Sequence, residues 1–218
     1  MVQQLVGRQD VTFGRHRLRA FLDVPESAAG LVIFAHGSGS SRHSQRNQYV
    51  AAGLNRSAMA TLLVDLLTPQ EEMDRRNVFD VGLLAGRLRE AAEWAGTVEP
   101  LATLPLGYFG ASTGAAAAII AASMPDDRAA AIVSRGGRPD LAGADALSRV
   151  RAPTLLIVGS LDQEVLGLNH NARSYMTAPT ELAVVPGASH LFEEPGTLDQ
   201  VIRLADHWFG SHLKGEAK

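Results

Sequence analysis

The chain has 218 residues, 46% of them hydrophobic and 20% charged, and it contains no cysteine. That length fits one domain with a sizeable core, and the missing thiols exclude disulfide scaffolds, cysteine zinc sites, iron–sulfur clusters and a cysteine nucleophile. With 20 Lys+Arg against 23 Asp+Glu the net charge is -3, so there is no basic surplus to neutralise phosphates and no nucleic-acid partner is expected.

The opening segment, MVQQLVGRQD, has no basic stretch leading into an apolar run and a cleavage site, and it reads as the start of a mature cytoplasmic chain. Apolar and helical patterns then alternate, as in βαβ units around a mostly parallel sheet. Strands are predicted over residues 17–24, 31–35 and 60–64, with a helix over 44–57 before the third. Residues 80–95 carry Val81, Leu84, Leu88, Ala91 and Ala95 at helical spacing. A strand over 106–109 leads into a helix over 113–124 that Pro125 stops. The apolar run 115–122 within it is far short of the ~20 residues of a membrane span, so no membrane partner is expected. Strands over 130–134, 154–158 and 181–185 then interleave with helices over 141–149, 166–176 and 197–213. With no repeat and no low-complexity linker, one doubly wound α/β domain over residues 1–218 is predicted.

Gly110-Ala-Ser-Thr-Gly114 is a G-x-S-x-G sequence between a predicted strand and a predicted helix. On so sharp a turn the hydroxyl of Ser112 projects from the sheet edge, while the flanking glycines avoid collision. The helix behind it offers free N–H groups and a positive dipole end to a forming oxyanion. Glycine and serine also mark ordinary turns and helix caps, so the partners decide. A serine needs a histidine to take its proton and an acid to orient that histidine. Asp162, in Gly159-Ser-Leu-Asp162, and His190, in Pro186-Gly-Ala-Ser-His190, both follow predicted strands, at the sheet edge where catalytic groups of open α/β sheets gather. Glu164, Glu193 and Glu194 are alternative acids, whereas His170 and His207 fall within predicted helices and His16 and His212 lie near the chain ends.

Phe34-Ala-His-Gly-Ser-Gly-Ser-Ser41 follows the strand over 31–35. Its glycines let the backbone approach a ligand, which makes His36 and Gly37 candidates for the substrate site and the N–H groups of Ser38 and Thr113 candidate oxyanion donors. His36 is expected to hydrogen-bond structurally rather than to bind metal. The loop lacks both Gly-Lys-Ser/Thr and the third glycine of a dinucleotide fingerprint, and no H-E-x-x-H occurs, so neither cofactor nor metal is expected. Arg42, Arg46, Arg135 and Arg138 fall in loops opening toward the same edge. They either favour an anionic substrate group, since guanidinium pairs bidentately with carboxylates, or tie loops together with Asp65, Glu71 and Glu72 as partners.

In this order, His36-Gly37, Gly110-x-Ser112-x-Gly114, Asp162 and His190 resemble the α/β-hydrolase superfamily. From Arg17 to Leu213 the short chain is most similar to its dienelactone hydrolase-like branch. The resemblance implies an eight-stranded, mostly parallel sheet with helices on both faces and no cap domain, a Ser112–His190–Asp162 triad and a small-molecule ester substrate. Dienelactone hydrolases proper use cysteine where Ser112 stands, and the departure favours carboxylesterase-like chemistry. A thioesterase or other acyl-transfer hydrolase would use the same triad; haloalkane dehalogenases and epoxide hydrolases need an aspartate at that position. A reading of another class is a non-catalytic binding protein on this fold. Without a cap to supply apolar walls, short acyl esters are expected. Similar domains also occur attached to phosphoribosyltransferase domains.

Overall fold

Alternation along the strands decides which helices cover which face of the sheet. In the computed structural model, which describes residues 7–213, the strands are β1 (Gly7–Phe13), β2 (Leu18–Val24), β3 (Gly30–Ala35), β4 (Met59–Val64), β5 (Leu106–Ala111), β6 (Ala129–Arg135), β7 (Thr154–Gly159) and β8 (Thr180–Val185). They form one 8-stranded sheet in the order β1-β2-β4-β3-β5-β6-β7-β8. β2 pairs antiparallel with both β1 and β4, and every other pairing is parallel. The helices are α1 (Gln45–Arg56), α2 (Pro69–Glu72), α3 (Arg75–Phe79), α4 (Val81–Ala95), α5 (Thr113–Ala122), α6 (Gly143–Arg149), α7 (Gln163–Arg173) and α8 (Thr197–Leu213). The expected eight-stranded α/β-hydrolase sheet is present; residues 1–6 of the opening segment lie outside the described residues. No described helix is long and apolar enough to cross a membrane.

Val32, Phe34, Leu63, Phe109, Val133 and Ile157 point to the face covered by α1 and α8, where Leu54, Trp208 and Phe209 meet them. Their neighbours Leu31, Ile33, Leu62, Tyr108 and Ile132 point the opposite way, toward Leu84 and Leu88 of α4 and Ile119 of α5. Strands β3, β4, β5 and β7 are buried along their whole length, which explains their continuous apolar sequences.

Three departures from the sequence expectations have local causes. β1 escapes periodicity because its alternation is mostly polar, Gly7-Arg-Gln-Asp-Val-Thr-Phe13, as suits an edge strand with one exposed side. The helices α2 and α3 fill a stretch between β4 and α4 to which no element was assigned. Thr68 and Glu71 form a reciprocal capping box there, with Pro69 in the first helical turn. Finally, the helix over 141–149 begins as a 3-10 turn, Pro139–Ala142, before α6.

Helix α5 leaves the sheet with no side chain as a spacer. A Cβ on Gly114 would lie 2.2 Å from the carbonyl oxygen of Ala35, and one on Gly110 would lie 2.4 Å from Ala115 Cα. Gly86, midway along α4, faces open space. Gly114→Ala should therefore lose about 3 kcal/mol or more through overpacking, whereas Gly86→Ala should gain about 0.5–1 kcal/mol from helix propensity. Urea unfolding midpoints measure both, and equal midpoints would contradict the backbone contact.

A charged cluster fastens the β1–β2 turn to α4 and α2. His16 donates its backbone N–H to Glu90 at 3.0 Å, its Nδ1 lies 2.5 Å from the same carboxylate, and Arg87 of α4 pairs with Glu71 of α2. Burial works to raise the pKa of Glu90, but the hydrogen bonds from His16 and the charge of Arg87 outweigh it and hold the carboxyl below its usual range. A carboxylate with a depressed folded pKa contributes stability that is present above its unfolded value and lost as pH falls through the folded one. Glu90→Gln should thus lower the melting temperature near pH ~7, and the deficit should shrink below about pH 4. A deficit of the same size at both pH values would speak against this linkage.

Candidate active site

Ser112 occupies the turn between β5 and α5 with φ 51 and ψ -122. A positive φ in a non-glycine residue is held by its surroundings. The Ser112 N–H donates to Arg135 O at 3.3 Å, and its own carbonyl accepts the Arg138 N–H at 3.0 Å. The Ser112 side chain caps no amide of α5, so its hydroxyl is not spent on the helix. Gly37 closes over it: a Cβ there would lie 2.9 Å from Ser112 Cβ and 3.7 Å from Ser112 Oγ.

The loop after β8 carries His190, and its Nδ1 lies 2.6 Å from Asp162 Oδ2. Asp162 stands at the N-terminus of α7 without capping it, which leaves its carboxylate for the imidazole. Two glycines clear the way for this loop. A Cβ on Gly159 would meet Ala188 O at 2.3 Å, and one on Gly136 would meet His190 O at 2.9 Å. The alternative acids are engaged elsewhere or apart: Glu194 accepts the Ser189 N–H at 3.0 Å, Glu193 pairs with Arg46 at 3.1 Å, and Glu164 makes no contact with the histidine. The structure brings Ser112, Asp162 and His190 to one edge of the sheet, at the ends of β5, β7 and β8.

His36 is buried, and its ring bridges two loops. Nδ1 donates to Gly37 O at 2.9 Å and Nε2 accepts the Leu66 N–H at 3.2 Å. Burial lowers its pKa, the Gly37 hydrogen bond opposing, so the ring is neutral and structural. Among the described residues no cluster of three or more His, Asp or Glu side chains could hold a metal ion. The Ser38 N–H donates to Thr113 Oγ1 at 2.9 Å; this amide, expected to face the site unengaged, already has a partner.

Of the arginines, three are tied by carboxylates. Arg42 pairs with Asp65, Arg46 with Glu193, and Arg138 holds Asp140 in a fork at 2.9 and 2.8 Å. Glu71 serves Arg87 instead, and Glu72 lines the neighbouring cavity. Arg135 differs. Its Nη2 donates to Asn47 Oδ1 at 3.2 Å, while buried Nε and Nη1 find no partner. Burial, with the charge of Arg46, lowers its pKa to about 10, so it stays protonated at neutral pH.

A cavity of about 540 Å³ is lined by the His36-Gly37-Ser38 loop but not by Ser112, Asp162 or His190. Ser40, Ser41, Ser44, His43 and Glu72 give it polar walls, and Leu67, Val78 and Leu84 an apolar floor. Its Glu72 and Val78 come from α2 and α3. Sequence reasoning weighs Glu72 only as an arginine partner and misses Val78, although Thr68-Pro-Gln-Glu71 carries a capping-box signature that announces α2. It also misses Asn47, the partner of Arg135, and buried Asn169, which donates to Gly137 O at 2.9 Å and steadies the loop after β6.

Comparison with known proteins places this geometry among relatives. No family model matches the chain. A crystal structure of dienelactone hydrolase from Anabaena variabilis is 48% identical, with a TM-score of 0.89 over 94% of this chain and 99% of that one. Est1E from Butyrivibrio proteoclasticus shares the fold alone, with 15% identity and a TM-score of 0.78 over 94% of this chain and 98% of that one. Two Mycobacterium tuberculosis proteins, named only provisionally as phosphoribosyl transferases, are 60% identical over 194 residues, 89% of this chain. The chain spans 44% of their length. By the near-complete match to the Anabaena protein, together with the sheet order and the strained serine turn, the chain belongs to the α/β-hydrolase superfamily, within its dienelactone hydrolase-like branch.

Proposed function

We propose that the chain is a serine hydrolase of small carboxylic esters that works through an acyl-enzyme. The observation that carries this reading is the 2.6 Å hydrogen bond from His190 to Asp162 at the sheet edge where Ser112 stands in a strained turn. With Nδ1–H donated to Asp162, the free Nε2 of His190 is a base for the Ser112 proton. Ser112 Oγ attacks the ester carbonyl, His190 hands the proton to the leaving alcohol, and water then cleaves the acyl-enzyme by the same route. The Thr113 N–H, at the positive end of α5, faces the developing oxyanion. No metal or cofactor enters the sequence of steps.

An ester held at Ser112 would extend past Gly37, which packs on Ser112 and also lines this cavity, and the cavity's hydroxyls and small apolar floor suit a short, polar ester. The Asp65 and Glu193 partners support a role for Arg42 and Arg46 in tying loops, while Arg138 pairs with Asp140 within its own loop. On this reading Ser112→Ala loses at least about 10³-fold of p-nitrophenyl acetate hydrolysis, and Asp162→Asn, which frees the wrong imidazole tautomer, loses about 10⁴-fold. A Ser112→Ala protein with the parental rate overturns the mechanism.

A further inference from the structure

The hydroxyl of Thr113 has one hydrogen-bonding capacity filled and one open. Its Oγ1 accepts the Ser38 N–H at 2.9 Å. A hydroxyl that accepts still carries a proton to donate, and no acceptor for that proton is found among the described residues. The side chain is 6% exposed, so the proton is directed at the few groups around it. The Ser38 amide is one of them, and Ser112 is its neighbour in the chain. Threonine in a helix divides between two χ1 rotamers, and the Ser38 amide selects one of them.

The position of this oxygen is informative. The Ser38 N–H, the loop's candidate oxyanion donor, is taken up by Thr113 Oγ1. The loop has little room to slide away, because Gly37 is already packed against Ser112 Cβ and Ala111 O.

Resting on the reading of Ser112 as nucleophile, we propose that the Thr113 side chain is itself an oxyanion donor. Ser38 N–H donates to Thr113 Oγ1, and the Thr113 O–H donates in turn to the substrate oxygen, alongside the Thr113 N–H. Accepting the amide proton polarises the O–H bond and makes it the stronger donor. The step balances without any transfer through threonine. As the Ser112 Oγ–carbon bond forms, the carbonyl π pair moves onto oxygen and the Ser112 proton passes to His190. When the tetrahedral intermediate collapses, that pair reforms the carbonyl, the ester C–O bond breaks and His190 protonates the alcohol. The Thr113 proton stays on Oγ1 throughout. The site thereby uses two donors from one residue, with Ser38 acting as a positioning residue through the hydroxyl.

The opposite behaviour would be a hydroxyl that merely blocks the Ser38 amide and swings aside when substrate binds. Steady-state kinetics on p-nitrophenyl acetate separate the two, using Thr113→Val, Thr113→Ala and Thr113→Ser, with fluorophosphonate labelling of the parent at Ser112 as the reference. The proposal expects kcat to fall by about 10²-fold in the valine and alanine variants, with KM nearly unchanged and Thr113→Ser close to the parent. The alanine variant carries the test if the valine variant does not fold. Parental or faster kcat in a folded variant without the hydroxyl overturns the proposal, as does a loss confined to KM or a serine variant as impaired as alanine. A parent chain that is not labelled at Ser112 overturns the nucleophile reading instead.

Discussion

The molecule is organised around the contact of α5 with the end of β3, made backbone to backbone. With no Cβ at Gly114, the first turn of the helix rests on the carbonyl oxygens of Ala35 and His36, and Gly110 admits Ala115 from the other side. This approach forces Ser112 into its positive-φ turn, a strain of about 1–3 kcal/mol that neighbouring hydrogen bonds sustain. The same approach brings the loop after β3 within reach of the helix N-terminus. Gly37 then packs on Ser112, and the Ser38 amide finds Thr113. The Ser112 turn, the positive end of α5 and the loop after β3 are thus set by one packing decision.

The Asp162–His190 pair is built separately and fastened on. β7 and β8 lie side by side, so Asp162 and His190 emerge from adjacent strand ends, and Gly159 lets the second loop fold over the first. Glu194 then holds Ser189, and Phe192, buried under the loop with φ 57, lies beneath the guanidinium of Arg135 at 5.9 Å. Arg135 also offers its carbonyl to the Ser112 amide. One residue at the end of β6 therefore touches both the serine turn and the loop after β8, through its backbone on one side and its side chain on the other.

How far the sequence could be read follows from the range of the interactions. Elements whose burial is expressed in local periodicity, such as β3, β4, α4 and α8, are visible as runs and stripes. The positions of Ser112 and Asp162 after the buried strands β5 and β7, and of His190 after the edge strand β8, are legible too, because each lies in a loop with its own glycine. β1 is invisible because an edge strand exposes too many polar residues to alternate clearly. The engagement of Ser38 with Thr113, of Arg135 with Asn47 and of Asn169 with Gly137 joins residues far apart in the chain. No local pattern encodes such bonds. The arginines illustrate this best: their loop positions leave an anion site and a loop-tying role both open, and only the fold reveals that carboxylates already hold three of them.

The closely packed glycines divide into two kinds, and the division bears on how such a protein diversifies. At Gly110, Gly114 and Gly159 an added carbon would strike main-chain atoms, for which no second substitution can make room. At Gly53 and Gly107 it would strike the side chains of Ile202 and Phe209, which a paired change could shrink. The wall contributed by Glu72 and Val78 is likewise made of side chains, on helices of only 4 and 5 residues. Mutational drift is therefore closed at the turn that carries Ser112 and open along the cavity wall of α2 and α3. The fold can reshape that wall without disturbing the serine turn.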